Sequence, residues 1–146
     1  MANLSFQIDE GGLRPALLGM TRSQVDKVLG DHPKVDRASL NGEEAFRYHG
    51  NHVRVVFRHD RAVEVALVPP VDVTFRGRSI FSNSEIWRDL AELDGDAKET
   101  LGFIVLCNLG LTLTGFHDGD SAQLAVTAFE YGRWDALKDQ MRRLRQ

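Results

Sequence analysis

Apolar and polar positions follow two different periods along this chain, and each change of period marks a predicted element. Val25 and Leu29 are four positions apart, a spacing that predicts one face of a short helix. Residues 46–48, 53–57 and 63–67 instead alternate apolar and polar side chains, which predicts antiparallel strands. The first part of the chain is therefore predicted to be a short helix followed by an antiparallel sheet.

A helix-start signal occurs twice, as Thr21-Arg-Ser-Gln24 and as Ser82-Asn-Ser-Glu85. In each copy a hydroxyl side chain can accept from the backbone N–H three residues later, while Gln or Glu reaches back to the N–H of the cap residue. An apolar pair follows each signal at the same interval, as Val25 with Leu29 and as Ile86 with Leu90. The repetition predicts a duplicated module.

Pro69 and Pro70 separate the two predicted modules, because tandem prolines cannot continue a strand ladder. The second module is predicted to contain a helix over residues 85–93 and four strands, at residues 71–75, 103–108, 111–114 and 123–129. A final helix is predicted from the helical spacing of four apolar residues, Trp134, Leu137, Met141 and Leu144. We therefore predict an α+β fold of two tandem helix-plus-antiparallel-sheet modules with a C-terminal helix. Residues 1–68 and 71–146 form the modules of a single compact domain, 1–146.

The first predicted sheet has one apolar face and one mostly basic face. Strict alternation places these side chains on the face that the helix covers: Phe46, Tyr48, Val53, Val55, Phe57, Val63, Val65 and Leu67. A two-residue hairpin at Gly50-Asn51 makes His49 and His52 cross-strand neighbours. The opposite face then carries Arg47, His49, His52, Arg54, Arg58 and Glu64, with Val56 as an apolar exception. Such a face is either solvated or a docking surface.

Composition places the chain among globular proteins with one well-buried core. Its 146 residues are 42% hydrophobic and 27% charged. No apolar stretch approaches the roughly 20 residues that span a bilayer, and the first residues lack the pattern of a signal peptide. Cys107 is the only cysteine, so a disulfide framework is excluded and a buried thiol is expected. A cytoplasmic protein without membrane association is predicted.

The charge is unevenly distributed although the net charge is only −3. Residues 83–130 contain two Lys or Arg against nine Asp or Glu. Within this acidic part, Trp87 with Asp94 and Asp96 is a candidate interface anchor with an acidic rim, since partly exposed Trp is a frequent anchor. Asp118 and Asp120 lie in the next acidic turn. An acidic surface would speed encounter with a basic partner.

Three constellations suggest chemistry, but each is more simply interpreted as structure. His49 and His52 supply two imidazoles, fewer than a zinc site needs. His117-Asp-Gly-Asp120 lacks the remaining ligands of a calcium loop, and Cys107 has apolar neighbours that predict an inert thiol. Phosphate-binding, dinucleotide and nucleophile-elbow motifs are absent. No catalytic residue, metal ligand or cofactor is predicted, and the chain is expected not to be an enzyme.

Residues 18–30 read Leu-Gly-Met-Thr-Arg-Ser-Gln-Val-Asp-Lys-Val-Leu-Gly. This segment, followed by a small antiparallel sheet, resembles the repeat unit of beta-lactamase inhibitor proteins and of related small outer-membrane assembly lipoproteins. It is also similar to small bacterial immunity proteins that neutralise a toxin. The resemblance implies a rigid recognition scaffold and carries no catalytic residues.

These observations lead to the hypothesis of an immunity protein that blocks a cognate bacterial toxin by occupying its active or substrate-binding surface. The predicted partner-binding residues are Trp87, Asp94, Asp96, Asp118, Asp120, Arg54 and Arg58. An alternative is a small-ligand binder or enzyme with a pocket between the modules. A nucleic-acid binder using Arg47, Arg54 and Arg58 is a third hypothesis, against which the acidic net charge argues. Pairing of two copies through a sheet face or edge is left open.

Overall fold

The computed structural model describes residues 5–40, 42–83, 85–100, 102–116, 124–130, 132–134 and 141–143. Within these ranges the chain is mostly β, with thirteen strands and two helices. In chain order the elements are β1 Ser5–Asp9, β2 Gly12–Arg14, α1 Arg22–Leu29, β3 Lys34–Leu40, β4 Glu43–Tyr48, β5 Val53–Arg58, β6 Arg61–Leu67, β7 Asp72–Phe75, β8 Arg78–Ser79, α2 Ile86–Asp94, β9 Ala97–Thr100, β10 Phe103–Leu106, β11 Leu111–Thr114, β12 Ala125–Phe129 and β13 Arg142–Arg143.

The strands form two sheets, here called the large sheet and the small sheet. The large sheet has nine strands in the order β13-β9-β10-β11-β12-β6-β5-β4-β3, with every neighbouring pair antiparallel. The small sheet has four strands in the order β2-β1-β7-β8, and its central pair, β1 with β7, is parallel. Both sheets therefore combine strands from before and after the tandem prolines.

The predicted α+β arrangement of two tandem modules is wrong. In the middle of the large sheet β6 pairs with β12, with Leu67 opposite Val126 and Val65 opposite Ala128. The pairing of β1 with β7 joins the two parts of the chain a second time. Strands predicted to belong to separate modules therefore form one continuous ladder. Partners that are about 60 residues apart in the chain leave no local periodicity by which to recognise them.

The predicted C-terminal helix is also wrong. Trp134 lies in a turn, and Arg142 and Arg143 form the strand β13, which pairs with β9. Leu137 and Leu144, which were expected on the apolar face of that helix, lie outside the described residues. The helical spacing of apolar residues near the end of the chain did not decide the structure. The edge strand β9 of the large sheet offers backbone hydrogen-bond partners to Arg142 and Arg143 instead.

Helix α1 begins and ends where the sequence predicts. The Thr21 hydroxyl accepts from the Gln24 N–H at 3.3 Å, and the Gln24 side chain accepts from the Thr21 N–H at 2.9 Å. Gly30 has a left-handed conformation, with φ of 64°, and donates to the Asp26 carbonyl at 2.9 Å. The capping box and the glycine C-cap are both confirmed.

Helix α2 starts differently from the predicted second copy. Its N-cap is Glu85, with no side-chain capping hydrogen bond, so the capping box expected from Ser82 is not formed. The end is as predicted, since Gly95 is left-handed with φ of 76° and donates to the Ala91 carbonyl at 3.1 Å. The helix buries an apolar face that includes Ile86, Trp87 and Leu90. None of the described helices is long and apolar enough to cross a membrane.

One main core joins the inner face of the large sheet to both helices and the small sheet. Its largest fully buried side chains are Tyr48, Phe6, Leu17, Leu67, Ile80, Ile86, Leu90, Ile104, Leu106, Leu111, Leu113 and Val25. Cys107 is not part of this core. It lies partly exposed in the turn after β10, so the expectation of a buried thiol is wrong.

A second, smaller core lies on the outer face of the large sheet, where Ala45, Val56 and Val63 pack together. The pairing of β5 with β6 shifts register after Val56, which is opposite Glu64, so that Val63 is an extra residue on β6. A β-bulge of this kind moves the bulged residue out of strict alternation. The expectation that Val63 lies on the inner face is therefore wrong.

The buried Tyr48 hydroxyl links the large sheet to α1. It donates to Asp26 Oδ1 at 2.6 Å, and burial, the hydrogen bond and the Asp26 charge together raise the pKa of Tyr48 above its ordinary value. Tyr48→Phe keeps the ring and removes only this bond, so we expect the free energy of unfolding to fall by about 1–2 kcal/mol. Urea unfolding of wild type and of Tyr48→Phe measures the change in the free energy of unfolding. The double variant Tyr48→Phe/Asp26→Ala, which lacks both partners of the bond, is measured beside them. Equal stability of wild type and Tyr48→Phe would contradict a stabilising bond.

Candidate functional site

A transverse row of side chains crosses the outer face of the large sheet. In the ladder Lys34 is opposite Arg47, and Arg47 is opposite Arg54. Paired residues of antiparallel strands point to the same face, and adjacent strands are about 4.8 Å apart. The flanking residues of Arg47 and Arg54 are in the main core, so these cations point outward. We call Lys34, Arg47 and Arg54 the basic strip.

The basic strip places like charges directly opposite one another, an arrangement that destabilises a sheet. Lys34 is exposed, and the Arg54 side chain is 34% exposed. Arg47 donates to the Asn51 side-chain oxygen at 2.8 Å, and Arg54 lies 3.8 Å from a Glu64 carboxylate oxygen. Solvent-exposed pairs of this length contribute little to stability. The basic strip therefore consists of exposed or partly exposed cations, and Arg47 and Arg54 each contact a neighbouring side chain.

On the strands beyond β5 the same row consists first of small, partly exposed side chains and then of buried ones. Ala66 is opposite Arg54, Thr127 is opposite Ala66, and both are partly exposed. Thr112 and Val105, the next two positions, are buried. The exposed or partly exposed part of the row is therefore the basic strip together with the small side chains of Ala66 and Thr127 beside it.

An ion network lies next to the basic strip on the same face. It consists of Glu43, Arg58, Glu64, Glu130 and Arg133. Arg133 donates to both carboxylate oxygens of Glu43, at 2.8 and 3.1 Å, and its Nε donates to Glu64 at 3.1 Å. Arg58 contacts Glu130 and lies 3.6 Å from Glu43. The hydrogen bonds from Arg133 to Glu43 raise the pKa of Arg133 above its ordinary value. Arg133 thus stays positively charged.

The ion network attaches the segment after β12 to the sheet. Glu130 N–H donates to the Val63 carbonyl at 3.0 Å. Trp134 makes edge-to-face ring contacts with Phe103 and Phe129, at centroid distances of 5.4 and 6.2 Å. The Glu130 backbone thus lies against Val63, a residue of the second core, on the face predicted to be open.

Two of the predicted partner-binding residues, Arg54 and Arg58, lie on this outer face. Arg54 belongs to the basic strip and Arg58 to the ion network. Trp87 does not join them, since it is only 5% exposed within the main core, with the Arg88 guanidinium 5.1 Å from its ring. The expectation that Trp87 is a partly exposed anchor is therefore wrong.

Asp94 is also buried, at 4% exposure, and has a structural role. Its Oδ1 accepts from the Leu109 N–H at 2.6 Å, and its Oδ2 accepts from the Asp96 N–H at 3.0 Å. The Asp94 carbonyl accepts from the Asn108 side chain at 2.6 Å. Desolvation by burial raises the pKa of Asp94, against the lowering effect of the backbone hydrogen bonds that its carboxylate accepts. Asp94 connects the end of α2 to the turn between β10 and β11.

The predicted acidic anchor is consequently not formed as one surface. Asp96 lies 3.2 Å from Lys98 at the start of β9. β9 is five strand positions from β5, which carries Arg54, a separation of about 24 Å. Asp118 and Asp120 lie outside the described residues.

The two histidines suggested as metal ligands lie in the turn between β4 and β5, next to the Tyr48–Val53 pair, and the His52 N–H donates to the His49 carbonyl at 3.4 Å. Their predicted placement on either side of Gly50-Asn51 is therefore confirmed. The His49 ring Nε2 is 2.7 Å from the Leu29 carbonyl, and the His49 N–H donates to Asp31 at 2.6 Å. This backbone hydrogen bond lowers the pKa of Asp31. His49 thus attaches the turn to the end of α1. The described part of the chain contains no cluster of three or more His, Cys, Asp or Glu placed to hold a metal ion.

An open groove of about 590 Å³ lies on the small sheet. Its walls come from the turn between β1 and β2 and from the turn between β7 and β8, with Arg14 and Arg76 beside Asp9 and Glu10. Asp9 lies 3.7 Å from Arg14 and accepts from the Gly11 N–H. The groove is where the alternative hypothesis, a ligand pocket between the two parts of the chain, would be located.

Sequence reasoning identified Arg54 and Arg58 but missed Lys34, Glu43 and Arg133. The alternating pattern of β4 and β5 was sufficient to place Arg47 and Arg54 on one face. The pairing of β3 and the contacts of Glu130 and Arg133 with the sheet depend on tertiary structure that has no local signal.

No protein-family model, no curated protein and no solved structure matches this chain.

Proposed function

We propose that this chain is a non-enzymatic protein-binding scaffold that acts through the outer face of its large sheet. The observation that carries the proposal is the basic strip, in which one exposed and two partly exposed cations lie side by side on adjacent strands of a well-packed sheet. Arg side chains are common anchors of protein interfaces. The neighbouring ion network holds the surroundings of the strip in place.

The more specific proposal is an immunity protein that neutralises a cognate toxin. It comes from the resemblance of residues 18–30 to inhibitor and immunity proteins. Inhibition would be steric, because a broad sheet face can cover an active or substrate-binding surface without contributing a reacting group. The Arg side chains of the face suit such a role, since Arg is enriched among the residues that dominate binding energy.

The experiment is reconstitution of a complex with a purified partner. Proteins that co-purify with the tagged chain from its host are expressed separately, and each is tested for toxicity and for activity with and without the chain. We expect one partner that binds with 1:1 stoichiometry, harms cells when expressed alone, and loses its activity when the chain is added.

The matched control for that experiment is Arg76→Gln, which removes a cation from the small sheet and should leave inhibition unchanged. Recovery of the chain alone, or catalytic turnover by the isolated chain, would contradict the proposed function.

A further inference from the structure

We propose that the open groove on the small sheet binds a small zwitterion, a molecule that carries one carboxylate and one ammonium group, as free amino acids and dipeptides do. The residues that line the groove belong to the small sheet, its turns and α2, so this inference goes beyond the function proposed for the large sheet. It follows from the position of the groove, the charges of its walls and the backbone of one turn.

The groove lies at the carboxyl ends of β1 and β7, the parallel central pair of the small sheet. Because these strands run in the same direction, the turn after β1 and the turn after β7 lie at the same end of the sheet. Adjacent strands are about 4.8 Å apart, so one small molecule can reach both turns. The groove volume of about 590 Å³ is within the range of about 300–1,000 Å³ that is usual for small-molecule sites.

The two turns carry opposite charges. Glu10 follows β1 and Arg76 follows β7, and both side chains are exposed and line the groove. In the part of the chain that the structure describes, neither forms an ion pair, and the Arg76 guanidinium packs over the Phe75 ring at 4.8 Å from its centroid. A zwitterion between the turns gives each charge a partner of opposite sign. An Arg–carboxylate pair can also form two parallel hydrogen bonds.

The two other charged residues of the groove pair with each other. Asp9 lies 3.7 Å from the Arg14 guanidinium and accepts from the Gly11 N–H at 2.7 Å. Gly11 is not left-handed. Its missing side chain instead leaves the space that the Arg14 guanidinium occupies. Glu10 and Arg76 are therefore the charges that face a ligand, and one charge of each sign favours a zwitterion over a simple anion or cation.

The backbone of Arg76 also favours a binding role. Arg76 and Gly77 connect β7 to β8 as a two-residue hairpin loop, and their φ angles are 53° and 78°. Asn, Asp and Gly are the usual residues at such positions, because most side chains are disfavoured in the left-handed region. Non-glycine residues held in this region cluster at functional sites. The turn itself does not need an arginine, whereas a ligand carboxylate in the groove does.

The groove wall is held in place from behind. The Leu109 carbonyl lies 2.8 Å from where a Cβ on Gly12 would be, so the turn between β10 and β11 packs closely against β2. The buried Asp94 carboxylate holds this turn by accepting from the Leu109 N–H. A site that is already ordered loses less conformational entropy when a ligand binds.

The test measures binding to the whole chain by NMR, from the chemical shifts of backbone amides. The probes are the standard free amino acids and the dipeptide Ala-Ala, with inorganic phosphate as a simple anion. We expect at least one zwitterion to shift the amides of Gly11 and Gly77, with a dissociation constant of about 1 mM or lower. The order of affinity of free amino acids and dipeptide then identifies which of the two sources fits the groove.

The zwitterion that binds most tightly is next compared with its N-acetyl form and its C-terminal amide, each of which lacks one of the two charges. We expect both blocked forms to bind more weakly by about tenfold or more, because each leaves one wall of the groove without its ionic partner. Equal or tighter binding of the N-acetyl form or of phosphate would assign the groove to anions. Equal or tighter binding of the amide would assign it to cations. Either result would overturn the inference.

The test variants are Arg76→Asn and Glu10→Gln, and each should bind the zwitterion about tenfold or more weakly than wild type. Arg76→Asn also places a favoured residue in the left-handed turn, so its melting temperature should be unchanged or up to about 3 °C higher. Lys27→Gln, on α1, removes an exposed charge outside the groove and should bind as wild type.

Three further results would overturn the inference. The first is that no zwitterion shifts the amides of the groove, and the second is equal affinity of wild type and both groove variants. The third is a loss of affinity in Arg76→Asn together with a lower melting temperature, which would show that Arg76 stabilises the fold. Failure of the proposed function is distinguishable, because both groove variants should inhibit a reconstituted partner as wild type does.

Discussion

Replacement of Asp94 by alanine is expected to lower the free energy of unfolding by about 3 kcal/mol. The carboxylate is buried and accepts from the N–H groups of Leu109 and Asp96, so its removal leaves two backbone donors without their acceptor. The carbonyl of Leu109 in turn lies 2.8 Å from where a Cβ on Gly12 would be, so the same turn packs closely against β2. Urea unfolding followed by circular dichroism measures the loss.

The matched control for Asp94→Ala is Asp96→Ala, which removes a neighbouring but exposed carboxylate and should cost less than about 0.5 kcal/mol. Equal losses in the two variants would contradict a specific role for the buried carboxylate. A loss below about 1 kcal/mol in Asp94→Ala would show that water or another group replaces its hydrogen bonds.

Asp94 should also contribute to the pH dependence of stability. Burial raises its pKa in the folded protein above the ordinary value of 3.8. The folded state therefore binds more protons than the unfolded state between these two pKa values, and stability falls as pH rises through that interval. Consequently, the stability difference between wild type and Asp94→Asn should be larger at pH 3 than at pH 7. Denaturant unfolding at both pH values measures the change, and a difference that grows with pH would reverse the assigned sign.

Replacement of Arg133 by methionine is expected to cost about 3 kcal/mol of the free energy of unfolding. The Arg133 side chain is only 19% exposed and donates to Glu43 and Glu64, which are similarly covered. Methionine fills much of the same volume but leaves both carboxylates without this partner. Loss of the contact should also weaken the attachment of residues 132–134 to the large sheet.

A second variant separates the charge effect from packing. The triple variant Glu43→Gln/Glu64→Gln/Arg133→Met also replaces the two carboxylates, so neither remains as a charge that has lost Arg133. At least half of the free energy of unfolding that Arg133→Met loses should therefore be recovered. Arg133→Lys keeps the charge but cannot donate to both oxygens of Glu43 in a fork, so an intermediate loss is expected. Identical stability of Arg133→Met and the triple variant would show that packing, not the ion network, accounts for the loss.

Local signals in the sequence were sufficient for several elements. Thr21, Gln24 and Gly30 predicted both ends of α1, because capping depends on residues within one turn of each other. The alternation in residues 46–67 predicted β4, β5 and β6 and the outward direction of Arg47, Arg54 and Arg58, because successive side chains of a strand point to opposite faces. Two of the proposed binding residues could therefore be found from the sequence.

Predictions failed where a distant part of the chain decides the outcome. The same type of signal that starts α1 did not cap α2, where Glu85 takes the N-cap position. Val63 departs from alternation because a bulge opposite Val56 inserts one residue into the ladder. Trp87 and Asp94 belong to a buried helix face and a buried helix end, although their spacing also suits a surface anchor.

By itself, the sequence determined the local elements: a capped helix, alternating strands and the break at Pro69 and Pro70. Only the tertiary structure decided that β6 pairs with β12, that β1 pairs with β7, and that Arg133 lies against the outer face. The physical reason is the range of the interactions. Capping and alternation act between neighbours in the chain, whereas strand partners and the ion pairs of Arg133 join residues up to 90 positions apart.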